Sequence, residues 1–517
     1  MCVLDTNLML ASSAAALLLL IAIFVAKAFP RHGRYKFPPS PPGRLPIIGH
    51  SHLFPKEFTG HKAKEWGCEM MHLRFGGTNW VFLNSSRAVE DLLEKRSSIY
   101  SSRPVFAMVG EVISRGKRPV LQPYGERWRK VRKVMHQLLT GKTADSYKHM
   151  QLEESQLMLS EMLQAPEKWH LHAIRFAASC LRPVVIWRAR LLGKSELFDR
   201  VSDAQDEFLR NNIPGQWLVD SYPQLRLIPK FLQWWRPYGD RVFRYTRDAF
   251  KAYYDLMQEN MRKGIQRPCF ATGLYDDETE DDDVFDFDQK LFATGGLIEA
   301  GSDTTKNQLN MVIAAMAADP NTWVAKARKE LDAVCGHKAE RLPTFDDWDK
   351  LPYMQAIMKE SMRWRPNVNP TGFPHALIRD DEYRGYRLPA GTIVTINNWA
   401  ISLNPNEYRD PDKFDPDRFL DKDLWNPLKG HYGYGAGRRA CAGYRVASNS
   451  MFIFLSRFIY CFDVEEDPAY PIDTYHIPLT PPPGKVNEPP FIAKVAVRSE
   501  AHRQLILREC ADPVEGN

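Results

Sequence analysis

The eight cysteines of this 517-residue chain never come in pairs at a disulfide-framework or metal-site spacing. Cys2, Cys68, Cys180, Cys269, Cys335, Cys441, Cys461 and Cys510 are scattered. In so long a chain that pattern reads as reduced thiols in a cytosol-facing domain. No second Cys or His stands within zinc spacing of Cys441, which argues against a zinc site there. No block of Lys or Arg of nucleic-acid-binding length occurs: 69 basic residues against 63 acidic ones leave a net charge of only +6, so no nucleic acid is expected as a partner. The glycines around Gly433 and Gly435 do not form a dinucleotide fingerprint after a strand, so a redox reaction would draw its electrons from another protein. There are no internal repeats, and no second linker splits the chain after about His50.

What is present is a large apolar inventory. Hydrophobic residues make up 44% and aromatics 12% of the chain, enough for a substantial core and incompatible with disorder. Residues 7–26 carry no charge, and Leu8, Leu10, Leu17 to Ile21, Ile23, Phe24 and Val25 favour membrane insertion by about −3 to −6 kcal/mol. The run is long enough for one span. Lys27, Arg31, Arg34 and Lys36 follow it while only Asp5 precedes it, so the remainder is expected on the cytosolic side. The alternative is a cleaved signal peptide with Ala26-Lys27-Ala28 as its site, but the first seven residues lack the basic start such a peptide needs. The sequon at Asn84 would then go unused. Phe37 to Pro46 is proline-rich and reads as a semi-rigid spacer, or else as a proline-rich adaptor ligand. The expected division is a membrane anchor over residues 1–30, a basic hinge over 31–50 and one domain over 51–517.

Within that domain, Gly76 to Leu83 and Gly385 to Asn397 read as strands. Met150 to Leu163, Asp240 to Met261 and Lys326 to Val334 read as helices. A mainly α domain with a small β-sheet is expected. The acidic run from Asp276 to Asp288 reads as a solvated loop.

The most informative segment is Tyr434-Gly435-Ala436-Gly437-Arg438-Arg439-Ala440-Cys441-Ala442-Gly443. Glycines let a backbone pass close to a flat ring, and a neighbouring cation favours a thiolate and pairs with acid groups. The plain alternative is a buried cysteine in a glycine-rich turn. The segment resembles the cysteine loop of the cytochrome P450 haem-thiolate monooxygenases, F-x-x-G-x-R-x-C-x-G, with Gly437, Arg439, Cys441 and Gly443 matching. Tyr434 stands where the family usually has Phe, a change that bears on polarity near the sulfur.

Further segments carry the same resemblance. Ala300-Gly301-Ser302-Asp303-Thr304-Thr305 lies in an apolar stretch starting near Phe287. A mid-helix Gly costs about 1 kcal/mol, and threonines there can take over backbone hydrogen bonds. It resembles the family's oxygen-binding groove. By that resemblance Thr304 would hydrogen-bond the oxygen being activated, Asp303 would help relay protons, and Leu297 and Ala300, on the same face as Thr304, would line the substrate space. A kinked core helix is the alternative. Glu360 and Arg363, with Arg418 in Phe414-Asp415-Pro416-Asp417-Arg418-Phe419, resemble the family's E-x-x-R and P-x-R-F elements, which implies a structural charge network. Trp128 and Arg132 match its W-x-x-x-R, and His375 and Arg439 would join them on the haem propionates. A core aromatic and a surface-turn histidine are the alternatives for Trp128 and His375.

The resemblance implies a cytochrome P450 fold after one transmembrane helix and haem b on the Cys441 thiolate. It also implies insertion of one oxygen atom into a C–H bond or arene. Electrons would come from a membrane-bound NADPH-cytochrome P450 reductase, with cytochrome b5 as an alternative second donor. Arg129, Lys130, Lys133, Lys429 and Arg438 form the expected docking face, if they are more than a generally basic surface. The expected location is the endoplasmic reticulum membrane, single-pass, with the catalytic domain cytosolic. A reductase-independent haem-thiolate isomerase or dehydratase and a non-catalytic haem sensor are the other readings, and Asp303-Thr304 argues against both. His431-Tyr432-Gly433-Tyr434 and Phe231 to Pro237 look like filamentous-fungal members. The expected substrate is a secondary metabolite, with small aromatic acids or phenols as the alternative. One stretch departs from the pattern. Pro183 and three arginines, Arg182, Arg188 and Arg190, stand where the family has a smooth apolar helix. Either a frame or exon-boundary error or a real local redesign would account for it.

Overall fold

The computed structural model describes residues 36–53, 68–180, 196–265, 269–276, 285–367, 372–479 and 488–510. The main helices are α1 (Glu126–Leu139), α2 (Lys148–Gln164), α3 (Trp169–Ser179), α4 (Glu196–Asn211), α5 (Arg236–Arg262), α6 (Phe287–Ala318), α7 (Trp323–Cys335), α8 (Pro352–Trp364) and α9 (Tyr444–Cys461). The stretches expected as helices fall inside α2, α5 and α7.

Helix α6 is the axis of the fold. The Asp286 carboxylate caps its start by accepting the Gln289 N–H at 2.8 Å, which satisfies one of the unpaired N–H groups of the first turn. The helix then runs for 32 residues, mostly buried. Its C-terminal half packs Leu309, Val312, Ile313 and Met316 against Phe176 of α3, Met354 and Ile357 of α8, and Phe454 and Phe458 of α9. Its N-terminal half meets α5, where Gly295 matters. A Cβ there would stand 2.3 Å from the Phe250 ring, so only glycine lets that ring lie against the helix. Burying side chains of this size contributes roughly 1.5–3 kcal/mol each, which offsets the cost of the polar groups α6 also carries.

The largest sheet has strand order β1-β2-β6-β3, from β1 (Met70–Phe75), β2 (Thr78–Leu83), β3 (His375–Ala376) and β6 (Ile393–Ile396). β1 and β2 are antiparallel, with Met70 opposite Leu83. β2 and β6 are parallel, with Trp80 opposite Ile393. β3 pairs antiparallel to β6, with His375 opposite Val394. Two antiparallel pairs, β4 (Asp381–Tyr383) with β5 (Tyr386–Leu388) and β7 (Phe462–Glu466) with β8 (Ala493–Val497), complete the set among the described residues. The stretch expected as one strand over Gly385 to Asn397 is two, because the turn at Pro389 to Thr392 sends β5 and β6 into different sheets. Phe37 stacks on His72 of β1 at 4.2 Å and Pro39 accepts the His72 N–H, so the residues before the domain lie along the sheet.

Among the described residues no helix is long and apolar enough to cross a membrane. The apolar run 7–26, residues 181–190 and most of the acidic run lie outside the described residues.

Candidate active site

The cysteine loop is held in place by its backbone. Gly437 has φ +61°, and a Cβ there would meet the Leu93 carbonyl at 2.0 Å, so glycine is required for both conformation and close approach. The Cys441 N–H donates to the Tyr434 carbonyl at 2.8 Å. Gly443 precedes α9 and has open space where a Cβ would stand. Cys441 is exposed although it lies deep in the protein, which places its thiol on the wall of an internal cavity. Burial pushes that thiol up, opposed by the Gly443 N–H and by Arg132. The cation acting on the sulfur is therefore Arg132, not Arg439 as the loop sequence suggested, and cations alone do not produce a thiolate here. A bound metal would. The Tyr434 hydroxyl is spent on Ser448 Oγ at 3.2 Å.

Above the loop, cations converge. Arg439 donates to the Ser101 carbonyl at 2.7 Å and the Gln122 carbonyl at 2.8 Å, with its guanidinium 3.9 Å over Trp128. Arg132 donates to the Ala440 carbonyl. His375 is buried rather than at a surface turn, and its Nδ1 is 2.8 Å from the Tyr100 carbonyl. Burial, then Arg103 and Arg439, hold its pKa well below the usual histidine value, so it is neutral. Arg103 escaped the sequence reading. It is buried, donates to Val120 and Pro374 carbonyls at 3.0 and 2.9 Å, and has its pKa pulled down to about 9 by burial and by Arg132. Arg439 is pulled down to about 8 by burial, Arg103 and Arg132. Three crowded guanidiniums whose bonds all go to carbonyls form a site with a deficit of negative charge, suited to a dianionic ligand. Arg103 follows two serines with no acid nearby, a pattern too common to mark it.

On α6, Ala300 and Thr304 are exposed while Leu297, Ile298, Glu299, Ser302 and Thr305 are buried. That narrow exposed stripe is a cavity wall. Leu297 shares the face at 8% exposure. The Thr304 hydroxyl donates to the Ala300 carbonyl at 2.6 Å, and Asn367 Nδ2 donates to the Thr304 carbonyl at 2.8 Å. The helix stays continuous through Gly301. Asp303 points off that face, paired with Lys306 and reached by Gln205 of α4 at 3.4 Å.

Away from these, Glu360, Arg363 and Arg418 meet in one buried network. Arg363 donates to both Glu360 oxygens at 2.8 and 2.6 Å, and Arg418 to Oε1 at 3.2 Å. The Asp415 N–H supplies a fourth bond at 2.7 Å.

The Cytochrome P450 family model matches residues 38–487. The chain belongs to that family. Cytochrome P450 monooxygenase 58 of Postia placenta is 35% identical over 87% of this chain and 85% of its own length. Cytochrome P450 monooxygenase verL of Clonostachys rogersoniana is 33% identical over 86% and 84%, and aneD of Aspergillus aculeatus 31% over 92% and 91%. A zebrafish cytochrome P450 solved with abiraterone has a TM-score of 0.64 at 21% identity, covering 85% of this chain and 98% of that one; it supports the fold. This P450 is thus an oxidoreductase of the monooxygenase class, and its cofactor is haem b held by a cysteine thiolate. The residues fit that group: an accessible thiol on a cavity wall, a glycine-lined approach, and buried cations in want of carboxylates.

Proposed function

We propose that this P450 is a membrane-anchored monooxygenase that tailors a secondary metabolite with electrons from an NADPH-cytochrome P450 reductase. The observation that carries the catalytic part is the exposed Cys441 thiol deep in the protein, with Arg103, Arg132 and Arg439 gathered beside its loop. Cys441 would hold haem iron, and the three arginines with Trp128 would hold its propionates, Gly437 and Gly443 giving the ring room. Once bound, the haem supplies dioxygen activation, which the thiolate favours. The chain's own residues do the rest. Thr304 presents a hydroxyl from the cavity wall, and Asp303, one residue away and paired with Lys306, would lie on the route by which protons reach it. Leu297 and Ala300 keep the wall apolar and exclude water.

Arg129, Lys133 and Arg438 are exposed, with Arg438 bound to Tyr124 beside α1 at 2.7 Å. They support a reductase docking on this face. Lys130 and Lys429 are drawn toward Glu126 and Glu94 and contribute less. A location in the endoplasmic reticulum membrane, with the domain on the cytosolic side, rests on the charge-free run 7–26. It is supported by the exposed apolar side chains Leu227, Phe231, Leu232 and Trp234, with Lys230 and Arg236 among them.

The test is the reduced carbon-monoxide difference spectrum of the membrane fraction, with Cys441→Ala as control. A Soret band of thiolate-ligated haem, lost in the variant, supports the reading. Absence of haem, or a band unchanged by the substitution, refutes it. NADPH consumption with reductase separates a monooxygenase from a reductase-independent isomerase and from a non-catalytic haem protein.

A further inference from the structure

Lys306 is out of place on α6. It stands two residues past Thr304, its side chain is only 10% exposed, and the turns that follow it are core. An ammonium taken out of water needs a counter-charge, and the Asp303 carboxylate supplies one. A purely structural pair would end there. Here α4 brings a second acid to the same place.

Helix α4 buries Val201, Ala204 and Phe208, and Val201 shares a core cluster with Phe292, Leu297 and Ile298 of α6. Gln205, beside that buried face, donates to Asp303 Oδ2 at 3.4 Å. The next residue is Asp206, whose side chain is 15% exposed. Among the described residues the charges acting on it are, in order, Asp303, Arg210, Lys306 and Asp203. Arg210 stands 3.8 Å away but is largely in solvent, so water screens it. Two carboxylates thus share one buried ammonium. Such a group carries surplus negative charge, which a proton relieves. Burial and the Asp303 charge push Asp206 up to about 6, so near neutral pH it both takes and gives a proton. The arrangement also has a direction. Asp203 and Arg210 are exposed, Asp206 and Asp303 are half-buried, and Thr304, next to Asp303, is on the cavity wall.

We propose that Asp206 acts through Asp303 in the monooxygenase reaction, taking protons from bulk water and passing them to the Asp303 carboxylate. The proton leaves the Asp206 carboxyl, so Asp303 becomes neutral and Asp206 ionised. Lys306 follows the negative charge on its flexible stem, and Asp206 is reloaded from solvent. The proposal rests on the reading that Asp303 lies on the proton route to Thr304, and it adds where that route meets water.

The test is basal NADPH consumption by the haem-loaded full chain with saturating reductase, in H2O and in D2O. With no substrate added, NADPH + H+ + O2 gives NADP+ + H2O2, so proton uptake is still required. Asp206→Asn should slow consumption about tenfold, less than loss of a group at the reacting atoms, and should enlarge the solvent isotope effect. Asp206→Glu should restore both. Asp206→Asn combined with Asp303→Asn should be no slower than Asp303→Asn alone, as groups acting in series require. An Asp206→Asn rate within about twofold of wild type overturns the proposal. So does a slow Asp206→Asn whose isotope effect is unchanged or that Asp206→Glu does not rescue, because the carboxylate is then structural only. A double variant about tenfold slower than Asp303→Asn overturns it as well. Asp206→Ser replaces Asp206→Asn should the latter lose haem, and loss of haem in both overturns the proposal. The monooxygenase reading fails separately: a wild type without the thiolate carbon-monoxide band, or without NADPH consumption, sinks that reading and this proposal with it, whereas a normal wild type with an unaffected Asp206→Asn sinks this proposal alone.

Discussion

The Arg439 guanidinium lies 3.9 Å above the Trp128 ring while its N–H groups hold the Ser101 and Gln122 carbonyls. One side chain thus ties the cysteine loop to α1 and to two segments on the far side of the cation cluster. Lysine carries the charge but not the planar fork. Arg439→Lys should lower haem retention about tenfold, since at least one bond to a charged donor worth about 1.5–3 kcal/mol is lost. The measurement is the haem-to-protein ratio by pyridine haemochromogen after dilution. Trp128→Phe keeps a ring under the guanidinium and should lose less.

Glu360 is the only carboxylate holding Arg363 and Arg418 among the described residues, and it and Arg363 are fully buried. Glu360→Ala strands a buried guanidinium, at a cost of about 3–5 kcal/mol. Urea unfolding should show an unfolding free energy lower by that amount, seen as a lower midpoint, or no folded protein at all. An unaltered midpoint would mean that water or a rearranged loop takes the place of the carboxylate.

These two networks differ in how far the sequence reveals them. Glu360 and Arg363 share one helix face, and Cys441 announces itself through the glycines around it, because both depend on local spacing. Arg103 does not, since its role comes from burial beside Arg132 and Arg439, far apart in the chain. The same holds for Asp206 beside Asp303, which no periodicity links. β1 leaves no strand signal in the sequence because Met70 to Phe75 is buried on both faces and so lacks alternation. The β5–β6 stretch reads as a single strand because its two halves are alike in composition, and the turn between them is set by tertiary pairing. The pKa balance at Cys441 also needed the structure. The sequence shows the arginines but not the burial that outweighs them.

Asp220 gives a pH prediction. It accepts the Met108 N–H at 2.9 Å, and burial pushes its pKa up to about 7 despite that bond. The folded form therefore keeps a proton that the unfolded chain, titrating near 3.8, gives up earlier. Between about pH 4 and 7 the folded state binds more protons, so stability falls as pH rises through that window and is level above it. Asp220→Asn keeps an acceptor for Met108 and removes the titration. Its melting temperature should fall less than that of wild type between pH 5 and 7, and parallel curves would show that Asp220 is ionised throughout.

The two residues of the α6 motif should fail in different ways. Thr304 is on the cavity wall with its hydroxyl resting on the Ala300 carbonyl. Asp303 is turned away, held by Lys306 and Gln205. Under the proposed function the Thr304 hydroxyl would act where oxygen is handled, so Thr304→Ala should leave NADPH consumption within about threefold while raising hydrogen peroxide released per NADPH severalfold. Thr304→Ser should restore the wild-type ratio. Under the proposed function Asp303 would carry protons toward the cavity, and a positioned acid–base group is worth about a hundredfold or more. Asp303→Asn should therefore slow NADPH consumption itself, with a larger solvent isotope effect and little extra peroxide. Both variants leave Cys441 and the cation cluster untouched, so their carbon-monoxide spectra should match wild type. Peroxide release that rises in Asp303→Asn and not in Thr304→Ala would reverse the two assignments.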